Sequence, residues 1–390
     1  MRKPGLDGSA WPSERQELLL RAALLDRDAA GAAWAELAPD LHPDRPDEDP
    51  EVLRLLPLVH HNLRRAGITD PHADALGAAT RQNWYRTRTV LAGAAPALSC
   101  LLAAGVPTMV LKGAPLALRY YAHPSLRFLS DVDVLVPTAA AEPSLDLLTA
   151  AGWRRQSPIP RRRLFRARHS ENLVHDEHGN LDLHWRLSMP LVLAADRERS
   201  EEDFWQAAEP LTVAGVETLA PCPADLVLHV CVHGAWTLSE ATARWVADAM
   251  TVIRSTGDRM DWDRLTTQIA RRRVVIGLRN DLTYLARDFG APVPGAVLER
   301  LRRAPVSRRE ARTYRSLTRS LPRGGLRETA GRFRGYWLEK TGALPRWRQV
   351  RELPGHLEDH WGLAHAWEIP LEAVARLARH LGLARKAGAD

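Results

Sequence analysis

Apolar positions recur at helical spacing through the first hundred residues, separated by short polar breaks. From a start at Ser13-Glu14, Leu18, Leu19, Ala22, Ala23, Leu25 and Trp34 predict a helix to about Leu37. The proline and aspartate cluster from Pro39 to Pro50 predicts a loop, because proline cannot continue a helix and aspartate suits caps and turns. A second helix is predicted from Glu51 to Ala66, with Leu53, Leu56, Val59, His60 and Leu63 on one side, and a third from His72 to Ala104 with a bend at Pro96.

The period changes at Thr108. Thr108 to Leu111 reads as a strand, Gly113 as the sharp exit from it, and Pro115 as the first turn of a helix reaching Tyr121. Alternation through Asp131, Val132, Asp133 and Val134 predicts a strand to Val136, then a helix from Ala139 to Ala151 that Gly152 ends. Leu164 to Ala167, Asn172 to His175 and Leu181 to Trp185 read as further strands, the last two joined by a hairpin turn at Glu177-His178-Gly179-Asn180. Beyond Pro190 only helices are predicted: Leu226 to Trp236 capped by Asp225, Glu240 to Arg254, Trp262 to Phe289, and a last one from Pro370 to Arg385. The arginine-rich stretch from Arg302 to Arg334 reads as either a mobile segment or a solvated helix face. The class this implies is α+β, a small mixed sheet flanked by N-terminal and C-terminal helical regions. The expected divisions are residues 1–104 (helical), 105–190 (the α/β core), 191–300 (helical) and 301–390 (a basic helical extension).

Composition narrows the partners only slightly. A hydrophobic share of 45% excludes a disordered chain, and 390 residues exceed one small core. The formal charge of +7 comes mainly from arginine and permits an anionic partner. Few aromatics interleave with the C-terminal arginines, so nucleic acid is possible but not favoured. Three cysteines, Cys100, Cys222 and Cys231, fit no zinc or disulfide framework and suit a reducing cytoplasm. Apolar stretches are broken well before the roughly 20 residues a membrane span needs, so no membrane partner is expected.

Candidate chemistry gathers around Asp131-Val-Asp133. The alternation points both carboxylates to one face, where they repel unless a cation lies between them, and hard oxygen ligands suit Mg2+ better than zinc. Asn180-Leu-Asp182-Leu-His184-Trp185 supplies a third carboxylate, with Asp182 and His184 on one strand face. If that strand lies beside the first, the three aspartates converge and can hold two Mg2+ ions. His184 would then tune Asp182, bind substrate or serve only as a structural histidine. His229 and His233, four apart on a predicted helix, lack the Glu of an HExxH motif and a third evident zinc ligand; their helix can instead line the acceptor side of a cleft with Trp236. Arg244 and Asp248, also four apart, read most simply as a helix-face ion pair.

LKGAPLALRYY, RFLSDVDVLVP and LDLHW, in this order, resemble the motifs of the nucleotidyltransferase family related to the polymerase-beta superfold. More narrowly they are similar to its bacterial uncharacterised branch, which carries Lys-Gly where better-known members carry Gly-Ser; the similarity covers roughly residues 50–290. The resemblance implies Asp131 and Asp133 as metal ligands, Asp182 as the third carboxylate, and the Lys112-Gly113 turn as the nucleotide-phosphate site. Arg127 and Ser130 are weaker phosphate candidates, and His184, His233 and Trp236 possible acceptor-side residues. It further implies a sheet core whose cleft the 191–300 helices close, and Mg2+-dependent transfer of an NMP from an NTP to an acceptor hydroxyl. Asp182 would help take the acceptor's proton. The acceptor stays open among small molecules, peptides and proteins. A DxD glycosyltransferase is the rival enzyme, but its DxD usually ends an apolar strand, whereas here it begins one. A degenerate, non-catalytic nucleotide-binding or regulatory protein is the third reading.

Overall fold

The computed structural model describes residues 11–41, 49–69, 72–157, 159–161, 164–165, 168–187, 197–235, 243–317, 346–361, 363 and 365–380. Four helices come first: α1 (Glu14–Leu24), α2 (Arg27–Leu37), α3 (Pro50–Arg65) and α4 (Ala73–Ala103). The single helix expected over the first stretch is two. Ser13 and Gln16 form a capping box on α1, and the Asp26 carboxylate accepts from the Ala29 amide to start α2, so the chain turns at Leu25. Pro96 lies inside α4, which continues through it.

The middle of the chain contributes β1 (Met109–Leu111), α5 (Gly113–Arg119), β2 (Val132–Leu135), α6 (Ala141–Ala150), β3 (Arg154–Arg155), β4 (Ser170–His175) and β5 (Gly179–His184). Leu164 to Ala167, expected as a strand, is not one: Leu164 and Phe165 are helical, and residues 166 and 167 lie outside the described residues. Leu164 still serves the core as a fully buried side chain.

Beyond Pro190 the structure departs from the all-helical expectation. After α7 (Arg197–Gln206) come β6 (Glu209–Val213) and β7 (Val216–Ala220), a hairpin that joins the same sheet. Its strands are joined by Ala214-Gly215, both at positive φ (47° and 86°), as a two-residue primed turn requires. Helices follow: α8 (Pro223–Ala235), α9 (Arg244–Thr256), α10 (Trp262–Arg271), α11 (Val275–Phe289), α12 (Gly295–Arg303), α13 (Arg308–Leu317), α14 (Arg346–Trp361) and α15 (Ile369–His380). The expected long helix from Trp262 is split into α10 and α11, with Arg273 between them at φ 55°. None of the described helices is long and apolar enough to cross a membrane.

The seven strands run in the order β3-β4-β5-β2-β1-β7-β6, with β2 antiparallel to β1 and parallel to β5. Alternation divides the side chains between two cores. Val110, Val132, Val134, Leu181 and Leu183 pack with Leu91, Leu98 and Leu101 of α4 and Leu145 and Leu148 of α6. Met109, Leu111 and Leu135 face the opposite way, into a core shared with α1, α3, α8, α9 and α11. Asp133 lies between Val132 and Val134 and is registered with Leu111, so its carboxylate is forced to the second face, under the C-terminal helices. Trp185, beyond β5, anchors the first core: it is fully buried, with its indole N–H donating to the Arg168 carbonyl at 3.0 Å. Truncating such a side chain costs about 3–5 kcal/mol.

Candidate functional site

Register brings the carboxylates together. β2 and β5 pair in parallel with Asp133 opposite Asp182 and Leu135 opposite His184, so three polar side chains share one face of adjacent strands. Their potential ligand atoms all lie within 4.8 Å of one another. Asp133 is 7% exposed and His184 fully buried, and among the described residues no other such group of His, Cys, Asp or Glu forms.

Two cations compensate the acids. The Lys112 ammonium donates to Asp133 Oδ1 at 2.5 Å and sits 3.4 Å from His184 Nε2. His184 Nε2 lies 2.8 Å from Asp182 Oδ2 and 3.1 Å from Asp133 Oδ1, while its Nδ1 lies 3.1 Å from the Arg186 carbonyl. Nδ1 therefore donates to a carbonyl, and a second proton on Nε2, which faces two carboxylate oxygens and the Lys112 ammonium, makes the ring a cation. Burial opposes that charge, but the Asp182 carboxylate and the hydrogen bonds to Asp133 and Asp182 raise the His184 pKa to about 9. Burial likewise opposes the Lys112 charge, and Asp133 and Asp182 raise its pKa nonetheless. Asp133 is held below its usual range, because Lys112 and then His184 outweigh its desolvation. Asp182 is lowered as well, with burial outweighed chiefly by His184.

Asp131 lies just before β2, outside the tight group. Its carboxylate accepts from Ser130 Oγ at 3.0 Å, and burial together with the charge of Asp133 raises its pKa. The compact trio thus contains His184 in the place where the sequence pattern expects Asp131. The DLH alternation that set Asp182 and His184 on one face carries this signal.

The Lys112-Gly113 turn differs in detail from the expectation. Lys112, not Gly113, takes the positive φ, 50° with ψ −111°, a strained conformation for a residue with a Cβ. Gly113 is required for a different reason: an added Cβ would meet Leu129 Cδ2 at 2.6 Å and Arg127 Nη1 at 3.2 Å. Arg127, expected at phosphate, is committed elsewhere. Its Nε and Nη2 donate to Asp248 at 3.0 and 2.9 Å, and Nη1 donates to the Phe128 carbonyl. Tyr121 also donates to Asp248 Oδ1, at 2.8 Å. The helix-face pair of Arg244 with Asp248 is replaced accordingly: Arg244 Nε reaches Glu51 on α3 at 3.2 Å. An i,i+4 spacing shows which residues can meet, and tertiary partners with better geometry displace that contact here. Asp225, expected as a cap, is buried under Arg264, which donates to it at 3.1 and 2.5 Å.

Helix α8 brings two histidines to the polar face. His229 is fully buried, neither ring nitrogen has a hydrogen-bond partner among the described residues, and burial and then the Lys112 charge hold its pKa well below the usual range. His233 stands one turn on, with ring centroids 6.2 Å apart, its pKa pushed down to about 3 by burial and then Lys112. His169, which the sequence pattern did not single out, lies 5.4 Å from the His184 ring and is likewise lowered to about 3 by burial and then His184. Trp236 lies outside the described residues. The residues present fit a divalent cation: a buried and a partly buried carboxylate, an adjacent histidine ring, and Asp182 Oδ1, an atom buried without a partner among the described residues.

The sequence profile of a family described as uncharacterised nucleotidyltransferase matches residues 51–290, a span that contains the whole cradle together with α3 to α11. No curated protein matches the chain.

Proposed function

Because the chain belongs to the uncharacterised nucleotidyltransferase family, we propose that it moves a nucleoside monophosphate from an NTP to an acceptor hydroxyl. The acceptor oxygen forms a bond to the α-phosphorus, the bond from that phosphorus to the oxygen bridging to the β-phosphate breaks, and pyrophosphate leaves. Two divalent ions, Mg2+ by the preference of carboxylates, would offset the charge that develops on the phosphoryl oxygens and the leaving group.

The observation that carries this reading is the pairing of Asp133 with Asp182 across parallel strands, which turns two carboxylates from distant motifs into one acidic face. Asp133 and Asp182 Oδ2 would hold the cation, and Asp131 would add charge from the segment before β2. Asp182 Oδ1, which accepts no hydrogen bond, takes the acceptor's proton. Lys112 supplies the point charge for the phosphates from the strained turn before Gly113, with Ser130 nearby. His229 and His233 on α8 line the acceptor side. Their neutral rings are suited to hydrogen bonding with a hydroxyl and place no further cation beside Lys112.

The test is pyrophosphate release and transfer of label from each α-labelled NTP, in a lysate of the source cells with added Mg2+. Wild type should label an acceptor, and Asp131→Asn with Asp133→Asn should abolish labelling with the fold retained by circular dichroism. Unchanged turnover in that double variant removes the mechanism. Binding of UDP-sugars in place of NTPs would make the chain a glycosyltransferase.

A further inference from the structure

An all-carboxylate cradle has no need of histidine, yet His184 is built into this one in the orientation that metal-ligating histidines adopt. Such rings bond a backbone carbonyl or carboxylate through one nitrogen, which fixes the tautomer and aims the other nitrogen at the ion. In this chain Nδ1 is tied to the Arg186 carbonyl at 3.1 Å, and Nε2 points between Asp133 and Asp182. The Lys112 ammonium lies 2.5 Å from Asp133 and 3.4 Å from Nε2, so a positive group already sits at the point where an ion would touch both. Two further observations mark the place as built for a ligand. Among the described residues, Asp182 Oδ1 is buried without a partner, and His229, fully buried with both nitrogens unpaired, has Lys112, His184 and Asp133 among its charged neighbours.

Resting on the metal-dependent reading above, we propose that the ion in this cradle is bound by Asp133, Asp182 and His184 Nε2, and that this mixed set selects a first-row transition cation over Mg2+. Carboxylate and water suit Mg2+ and Mn2+ alike, whereas imidazole suits the later first-row ions, so the histidine tilts the site towards that series, of which Mn2+ is the weakest-binding member and the paramagnetic probe. Mg2+ then belongs with the second ion, whose ligands are the oxygens of the triphosphate. Entry of the ion would release the Nε2 proton of His184 to solvent and displace Lys112 from the carboxylate, which would free its ammonium for the phosphates.

The deciding measurement is pulsed EPR on the full chain loaded with Mn2+ alone, in protein grown with ordinary and with 15N-labelled histidine. The expected result is a nitrogen coupling to Mn2+ that changes from the 14N to the 15N pattern with the label, and Mg2+ that displaces Mn2+ only at about tenfold excess or more. His184→Gln should weaken Mn2+ by about tenfold or more and Mg2+ far less. Should that buried substitution unfold the chain, the labelled wild-type spectrum decides alone. Bound Mn2+ without histidine coupling, displaced equally well by Mg2+, overturns this inference and leaves the metal-dependent function standing. Absence of bound Mn2+ where Mg2+ still binds overturns this inference alone, and absence of both ions overturns both.

Discussion

Two buried charge clusters flank Gly113, and they are satisfied to different degrees. In one, Arg127, Tyr121 and Asp248 leave no obvious gap: both Asp248 oxygens accept, every guanidinium nitrogen of Arg127 donates, and the tyrosine hydroxyl completes the set. In the other, Lys112 holds a strained backbone and, among the described residues, Asp182 Oδ1 has no partner and His229, with Lys112 among its charged neighbours, has none on either nitrogen. Buried polar groups are ordinarily paired, because an unpaired one costs about 1–3 kcal/mol. A closed network is therefore read as scaffold, and an open, strained one as a place that a ligand completes. Substitutions that separate stability from binding test the distinction.

The largest separation is expected at Asp182. Asp182→Asn keeps an acceptor for His184 but removes the charge that most raises its pKa, so it should cost about 1–3 kcal/mol and leave the chain folded, yet pyrophosphate release should fall about 10^4-fold, the scale seen when one member of a catalytic unit is removed. A variant that retains turnover would move the chemistry away from this face. Asp248→Ala is the mirror case. It leaves a buried guanidinium and a hydroxyl without their partner, and urea denaturation should show a loss of about 3–5 kcal/mol. A wild-type denaturation midpoint for this variant would show that the closed cluster holds nothing together.

A smaller effect follows from pH. The pKa of His184 is raised to about 9, so its stabilising contribution is complete below the unfolded-state value near 6.5 and is lost as pH rises through 9. Metal-free protein should lose on the order of 1–3 kcal/mol between pH 7 and pH 10, read from melting scans, and His184→Gln should flatten that slope. The same slope in His184→Gln would assign the titration to another group.

What could be read ahead of the structure depended on whether a local signal matched the tertiary outcome. β2 and β5 are legible because their alternation is clean: it puts Asp131 with Asp133 on one strand face and Asp182 with His184 on another, and only the β2–β5 register joins Asp133, Asp182 and His184. The β6–β7 hairpin is not legible, because its turn is Ala214-Gly215 in place of the Asn-Gly or Asp-Gly that marks a primed turn, and an alanine at φ 47° is held there by the strands. The Leu25-Asp26 break escaped notice because apolar spacing continues across it, and only the cap on Ala29 separates α1 from α2. Arg244 was paired with the wrong acid because sequence spacing names neighbours on the same helix, whereas its partner Glu51 lies 193 residues away; the bond of Arg127 to Asp248, 121 residues on, left no local signal either.

Gly113 offers the finest division between the clusters, because it touches only one of them with its missing Cβ. The two atoms that a methyl group would strike, Leu129 Cδ2 and Arg127 Nη1, both belong to the Arg127 side. Leu129 is 1% exposed and has little room to yield, so Gly113→Ala should cost about 1–3 kcal/mol through overpacking. Lys112 precedes the substitution and bonds Asp133 through the far end of its side chain, out of reach of the new methyl. If the clusters are independent, Mn2+ affinity by calorimetry should change by less than about twofold, the limit of additivity for sites that share no partner. A loss of affinity in step with the loss of stability would mean that the closed network positions the open one, and that the turn between them couples scaffold to site.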